Sequence, residues 1–137
     1  MKYAGFSLLF LLLGTLIYCT CRQDVIFLLP LQGSELLEAI KIDIHYNGNP
    51  LIYFFLFCLP DALWYLALLL LQLAFFEKGV LNIILFFLAM ALPFLLEALQ
   101  YFGVILGTAD VYDVIFYSLI LIVFLLWHRK LRFLLFK

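Results

Sequence analysis

Charged residues are scarce in this sequence. Only 12% of its 137 residues are Asp, Glu, Lys or Arg, whereas 69% are hydrophobic. Ordinary soluble domains are about half apolar, so a chain of this length carries more apolar surface than its own core can bury. We therefore expect the lipid bilayer to solvate much of the protein surface.

Signatures of several other protein classes are missing as well. The net charge is −1 and no basic stripe precedes the C-terminal tail, which excludes nucleic acid as a partner. The cysteines Cys19, Cys21 and Cys58 have neither metal-ligand spacing nor an accompanying His cluster, so we interpret them as apolar fillers. Because no Ser/His/Asp arrangement, phosphate-binding glycine loop or HExxH motif occurs, the sequence assigns no catalytic residue.

The chain does contain four long hydrophobic runs. About 20 apolar residues in a helix cross the hydrocarbon core. The runs therefore predict four transmembrane spans, at about residues 3–20, 51–76, 80–102 and 111–127. No A-x-A cleavage site follows the first run, which favours an uncleaved span over a signal peptide. Pro60 predicts a kink in span two, with an interfacial lead-in before it.

A polar segment, residues 21–50, separates spans one and two. Within it, "SELLEAIKIDIH" (34–45) places apolar residues on one helical face and charged residues on the other, which predicts a short amphipathic helix at about residues 34–46. We expect this helix to lie on the outer surface, and "NGNP" (47–50) to turn the chain back into the membrane. The predicted fold class is all-α: a polytopic membrane protein with four transmembrane helices plus a short amphipathic surface helix, in one domain (1–137).

The distribution of basic residues predicts the orientation. With both termini in the cytoplasm, only Arg22 and Lys41 lie outside, which agrees with the positive-inside rule. The cytoplasmic side then holds the six other basic residues: Lys2, Lys78, Arg129, Lys130, Arg132 and Lys137. The tail "HRKLRFLLFK" (128–137) is typical of an amphipathic anchor on anionic lipid, with a docking patch for a cytoplasmic partner as the alternative.

Four acidic residues are predicted to lie at one depth in the outer leaflet. Asp61 lies near the outer end of span two, and Glu97 lies about 7 Å from the outer end of span three. Asp110 and Asp113 occupy the first turn of span four, which enters from the same side. We call these four residues the carboxylate layer. A carboxylate in the middle of a membrane costs about 3 kcal/mol, so their coincidence favours a shared polar site.

Other polar residues extend this predicted site. Gln100 shares a helix face with Glu97, and Tyr117 continues the stripe of Asp110 and Asp113. Arg22, at the outer end of span one, is the fixed cation available to the layer, as an ion-pair partner or a phosphate ligand. The candidate ligand-binding residues, which would line a notch open to the outside, are Asp61, Glu97, Gln100, Asp110, Asp113, Tyr117 and Arg22.

Four of these residues also have a local alternative. Asp61 and Asp110 lie where a carboxylate can cap a helix, and Thr108 is a further candidate N-cap for span four. Glu97 is alternatively a packing acid hydrogen-bonded to Gln100. Arg22 is alternatively a snorkelling residue at the interface.

The chemistry of the site is that of oxygen acceptors. Carboxylates suit a cationic ligand or general acid/base work. They also suit a hard divalent cation such as Mg²⁺ or Ca²⁺, which would bridge to a lipid phosphate. The sequence leaves these options open.

The stretch "EALQYFGVILGTADVYDVIFYS" (97–118) resembles the VanZ-like membrane proteins. Their signature is an E-x-x-Q pair that ends one helix, a short loop, and a D-x-x-D pair that opens the next helix. The segments "LPDALW" (59–64) and "YCTCRQD" (18–24) also look like a small subgroup from Bacteroides-type bacteria. The family often has Arg where Thr108 and Ala109 stand, and Asn where Tyr117 stands.

The resemblance implies where in the cell the protein acts. The namesake of the family is linked to resistance to the glycopeptide teicoplanin, which implies action at the bacterial inner membrane on the cell envelope. The leading hypothesis is therefore a VanZ-like protein that binds a cell-envelope lipid or amphiphile, such as a lipid-linked precursor, at the outer face. The alternatives are a metal-assisted hydrolase of a polyprenyl-phosphate-type lipid and a structural subunit whose acids pair with a partner.

Overall fold

The computed structural model describes residues 2–21, 41–42, 48–75 and 79–127, and these residues form helices joined by turns. The helices are α1 (Lys2–Cys21), α2 (Pro50–Ala74), α3 (Val80–Tyr101) and α4 (Val111–Trp127). Three of them are long and apolar enough to cross a membrane, and α4 is a shorter apolar helix. The all-helical prediction is therefore confirmed for this part of the chain. Of the surface helix predicted at about residues 34–46, the structure describes only residues 41–42, which are not helical; the rest of this helix, Arg22 and the basic tail lie outside the described residues.

Local capping explains where the helices begin and end. The side chain of Asn49 accepts a hydrogen bond of 2.9 Å from the Leu51 N–H, and Pro50 opens α2, a position where its missing N–H costs nothing. Beyond the end of α3, Gly103 adopts a φ of 68°, the left-handed conformation that glycine favours after a helix. At the start of α4, the N–H of Tyr112 donates to Oδ1 of Asp110 at 2.9 Å.

One detail of the sequence prediction is corrected here. The N-cap of α4 is Asp110, because its carboxylate takes the free N–H of the first turn; Thr108 is not the cap. The region before Pro60 is continuous with the helix, which runs from Pro50 to Ala74, and its interfacial position stays a prediction. A π-helical stretch, Phe54–Cys58, precedes the proline, and the N–H of Leu59 reaches the carbonyl of Phe54. This wider turn leaves room for a ring that would collide with an ordinary α-helical turn.

Helix α2 contacts each of the other three helices. On α1, Ser7 Oγ donates to the carbonyl of Ala67 at 2.7 Å, and Trp64 Nε1 donates to Thr15 Oγ1 at 3.2 Å. Against α3 and α4, the buried core consists of Tyr65, Leu69, Phe86, Tyr117 and Phe124. The polar contacts between α1 and α2 are of the kind that join helices in lipid, where burial of apolar surface gives no advantage.

The outward faces of the helices are apolar. On α1, Leu8, Leu12 and Leu16 are 56–58% exposed at successive turns, and α3 presents a similar row that includes Leu81 and Ile84. Contiguous apolar surface of this extent is not found on water-soluble monomers. The exposed surface therefore suits a helical membrane protein.

Candidate functional site

The carboxylate layer draws its residues from three helices. Asp61 lies on α2, Glu97 lies on α3, and Asp110 and Asp113 lie at the start of α4. The structure brings them together, because the carboxylate of Asp113 interacts electrostatically with those of Asp61, Asp110 and Glu97. Their role in binding a ligand remains a prediction.

Glu97 joins the end of α3 to the start of α4. Its Oε2 accepts a hydrogen bond of 3.0 Å from the main-chain N–H of Asp110, and the residue is only 9% exposed. The N-terminus of a helix carries a partial positive charge, so α4 itself stabilises this buried carboxylate. The alternative partner considered for Glu97, Gln100, packs elsewhere: a Cβ on Gly107 would lie 2.8 Å from Cδ of Gln100. With its φ of 134°, Gly107 lets the loop pass over the Gln100 side chain.

Asp110 joins α4 to α2. Its Oδ1 accepts the Tyr112 N–H that caps α4, and its Oδ2 accepts a hydrogen bond from the hydroxyl of Tyr53 on α2. Both oxygens are therefore occupied. Tyr53 was not among the residues predicted from the sequence, because within an apolar run a tyrosine is indistinguishable from an interfacial anchor.

Asp113 is the buried acid whose bonding is incomplete. It is 8% exposed, and its Oδ1 has no hydrogen-bond partner among the described residues. The thiol of Cys58, itself 1% exposed, lies beside the same carboxylate; this neighbour also went unpredicted, since we interpreted the cysteine as a filler. Leaving a buried polar atom without a partner costs about 1–3 kcal/mol, and more for a charged group. Native proteins contain few such atoms, and they call for an explanation such as a ligand.

Tyr117 lies beneath the layer. It is 7% exposed, and the acids Asp61, Asp113 and Glu97 are its electrostatic neighbours. Its ring packs edge-on against those of Tyr65 at 5.5 Å and Phe94 at 6.0 Å. Tyr65 and Tyr117 belong to the buried core between α2, α3 and α4, and Phe94 packs against it; we call these three rings the aromatic floor of the layer.

Among the described residues, the charged groups of the candidate site are all carboxylates, which accept hydrogen bonds when ionised. Helices α2 to α4 lie within residues 48–75 and 79–127, which contain no Lys, Arg or His. In the part of the chain that the structure describes, no group of three or more His, Cys, Asp or Glu is arranged to hold a metal ion. The predicted divalent cation therefore gains no support from these residues. Arg22, the predicted cation of the site, lies outside them.

Comparison with known proteins adds no further assignment. No protein-family model, curated protein or solved structure matches this chain. The resemblance to VanZ-like proteins therefore stays a prediction that rests on the motif formed by Glu97, Gln100, Asp110 and Asp113.

Proposed function

We propose that this protein is a VanZ-like, four-span protein of the bacterial inner membrane that binds a cell-envelope amphiphile from the outer leaflet, through the carboxylate layer. One observation carries the proposal: Oδ1 of Asp113 is buried among three other acids and lacks a hydrogen-bond partner among the described residues. A protein keeps such an atom at a cost in stability. A ligand that completes its bonding explains why.

The assignment of four spans rests on α4. Its 17 apolar residues extend about 25 Å at 1.5 Å per residue, slightly less than the hydrocarbon thickness of about 30 Å. A bilayer accommodates a short helix by local thinning at modest cost. An even number of spans also agrees with the basic residues, which lie mostly on the side proposed as cytoplasmic.

Surroundings of the layer favour an amphiphile over a ligand dissolved in water. The loop between α3 and α4 exposes large apolar side chains: Phe102 is 75% exposed, Val104 67% and Leu106 85%. No charged residue occurs between Glu97 and Asp110. A loop of this composition is stable in contact with the lipid interface, so the carboxylate layer would open toward lipid.

The two alternative functions, a metal-assisted hydrolase and a structural subunit, are supported to different degrees. A metal-assisted hydrolase requires a metal site, and the described residues do not form one. A structural subunit, whose acids pair with basic residues of a partner, makes a different experimental prediction, and the following test separates it from ligand binding.

The test is complementation of a strain that lacks the gene, measured as survival under cell-envelope stress. We expect Glu97→Gln and Asp113→Asn to abolish complementation while the amount of protein in the membrane stays unchanged. Glu77→Gln, which removes an acid at the other end of α3 in the sequence, is the matched control and should complement fully. Full complementation by both site variants would refute the proposal. Loss of the protein together with a co-purifying partner would favour the structural subunit instead.

Orientation is tested separately by cysteine labelling. In a background with Cys19, Cys21 and Cys58 replaced by Ala, Thr108→Cys should react with an impermeant maleimide added to intact spheroplasts. Labelling of this residue only after the cells are opened would place the α3–α4 loop in the cytoplasm and contradict the proposed orientation.

A further inference from the structure

One buried oxygen of the carboxylate layer lacks a hydrogen-bond partner in the part of the chain that the structure describes. Oε2 of Glu97 receives the Asp110 N–H, and the two oxygens of Asp110 receive the Tyr112 N–H and the Tyr53 hydroxyl. Oδ1 of Asp113 accepts no hydrogen bond from the described residues, although the residue is only 8% exposed. A ligand group that binds this atom of the ionised carboxylate must be a hydrogen-bond donor.

The charge of that group follows from the neighbours. The carboxylates of Asp61, Asp110 and Glu97 all act electrostatically on Asp113, and α2 to α4 supply no basic side chain. A phosphate placed here would be repelled by these carboxylates. A cationic donor would form a charge-assisted hydrogen bond, which is roughly twice as strong as one between neutral groups.

We propose that Oδ1 of Asp113 binds the ammonium group of an alkylammonium amphiphile, so that the ligand of the carboxylate layer is an amine-bearing lipid and not a lipid phosphate. This inference rests on the proposed function and names its ligand class. The ammonium has three donors, and one of them binds Oδ1 of Asp113. The alkyl chain lies outside, along the apolar side chains of the α3–α4 loop and the adjoining residues Val111 and Tyr112, which are 74% and 59% exposed.

The floor of the site is compatible with this ligand. Tyr117 lies within the electrostatic reach of three of the acids, and an aromatic ring attracts a cation that approaches its face. An anion gains nothing from the same ring. The aromatic floor thus adds to the preference that the carboxylates establish.

The test uses the purified full chain in micelles of a neutral maltoside detergent. Dodecylammonium, dodecyl phosphate, dodecanol and ethylammonium are titrated separately, and the melting temperature of the protein is followed. We expect a saturable rise with dodecylammonium alone, and a dissociation constant about tenfold or more higher for Asp113→Asn, because the variant loses a charge-assisted hydrogen bond. Glu77→Gln is the matched control and should bind as the wild type does.

Each other outcome overturns the inference. Equal binding of dodecyl phosphate, or unchanged dodecylammonium binding by Asp113→Asn, would refute an ammonium site at this residue. Ethylammonium binding as tightly as dodecylammonium would refute the amphiphile. Asp113→Asn and wild type should share one circular-dichroism spectrum, which separates lost binding from lost folding. If complementation depends on Asp113 but dodecylammonium does not bind, the ligand class alone is wrong; if dodecylammonium binds but complementation is independent of Asp113, the proposed function fails.

Discussion

The main-chain N–H of Asp110 donates a hydrogen bond of 3.0 Å to Oε2 of Glu97. Thirteen positions separate the two residues in the sequence, and the bond fastens the last turns of α3 to the first residue before α4. It turns a carboxylate that would be costly in a membrane into the element that closes a hairpin. Glu97 therefore has a structural role in addition to its role in the proposed site.

Comparison of Glu97→Ala with Glu97→Gln should separate the structural role of Glu97 from its role in the proposed site. Glu97→Ala removes the acceptor of the part-buried Asp110 N–H and should lower the free energy of unfolding by about 1–3 kcal/mol. Glu97→Gln keeps an oxygen acceptor and should cost about 1 kcal/mol or less. Unfolding with sodium dodecyl sulfate in mixed micelles measures both values. Equal losses for the two variants would mean that the charge of Glu97, and not its hydrogen bond, holds the hairpin.

Substitution of Asp113 should have the opposite effect on the free energy of unfolding. Because its Oδ1 is buried and has no hydrogen-bond partner among the described residues, Asp113→Asn removes a poorly compensated buried charge and should raise the free energy of unfolding by roughly 1 kcal/mol. Asp113→Ala removes the charge but leaves a cavity, so it should raise the free energy of unfolding by less than Asp113→Asn does. The same unfolding assay without added amphiphile checks this. A loss of stability in Asp113→Asn would contradict the view that the residue is retained for binding at the expense of stability.

The helices of this protein are predictable from sequence because the bilayer sets their length. The predicted spans 80–102 and 111–127 agree with α3 and α4, Val80–Tyr101 and Val111–Trp127, to within one residue. Depth is predictable for the same reason, since a rise of 1.5 Å per residue brings acids from different spans to a common level. Counting along each helix therefore predicts a common depth for Asp61, Glu97, Asp110 and Asp113, and their depth in a membrane stays a prediction.

The contacts within the layer were not predictable, because they depend on how each helix is rotated about its axis. Counting gives the depth of Tyr53 or Cys58 but not the direction of its side chain. The hydroxyl of Tyr53 reaches Asp110 across 57 positions of sequence, and α2 carries a π-helical stretch directly after it. A π turn rotates all preceding residues relative to a regular helix. The 3.6-residue periodicity therefore does not predict which face of α2 the residues before this stretch occupy.

Tyr53→Phe tests the link between α2 and α4. The variant removes the hydroxyl that donates to Oδ2 of Asp110 but keeps the ring, which packs against Phe57 at 5.0 Å. A hydrogen bond to a charged group contributes about 1.5–3 kcal/mol, so we expect a loss in that range in the unfolding assay. Tyr101→Phe, at a residue 77% exposed, is the control and should change stability by less than about 0.5 kcal/mol. Indistinguishable values for the two variants would show that Tyr53 does not hold α4.

The contact between α1 and α2 depends on Gly14. A Cβ at this position would lie 2.8 Å from Cδ1 of Trp64 and 3.0 Å from the carbonyl oxygen of Pro60. Both neighbours are held in place, since Trp64 Nε1 donates to Thr15 and Pro60 is fully buried. Close approach at a small residue is a common way for helices to associate in membranes.

Gly14→Ala should therefore push α1 away from α2 and lower the free energy of unfolding by about 1–3 kcal/mol. Gly5→Ala is the matched control on the same helix, because a Cβ there meets nothing within 4 Å. It should leave stability unchanged or raise it by up to about 1 kcal/mol, as alanine is the better helix former. In a Trp127→Phe background, the fluorescence of Trp64, whose environment changes when α1 moves, reports on the separation of the two helices. If Gly14→Ala is as stable as Gly5→Ala and the Trp64 emission is unshifted, the two helices do not meet at Gly14.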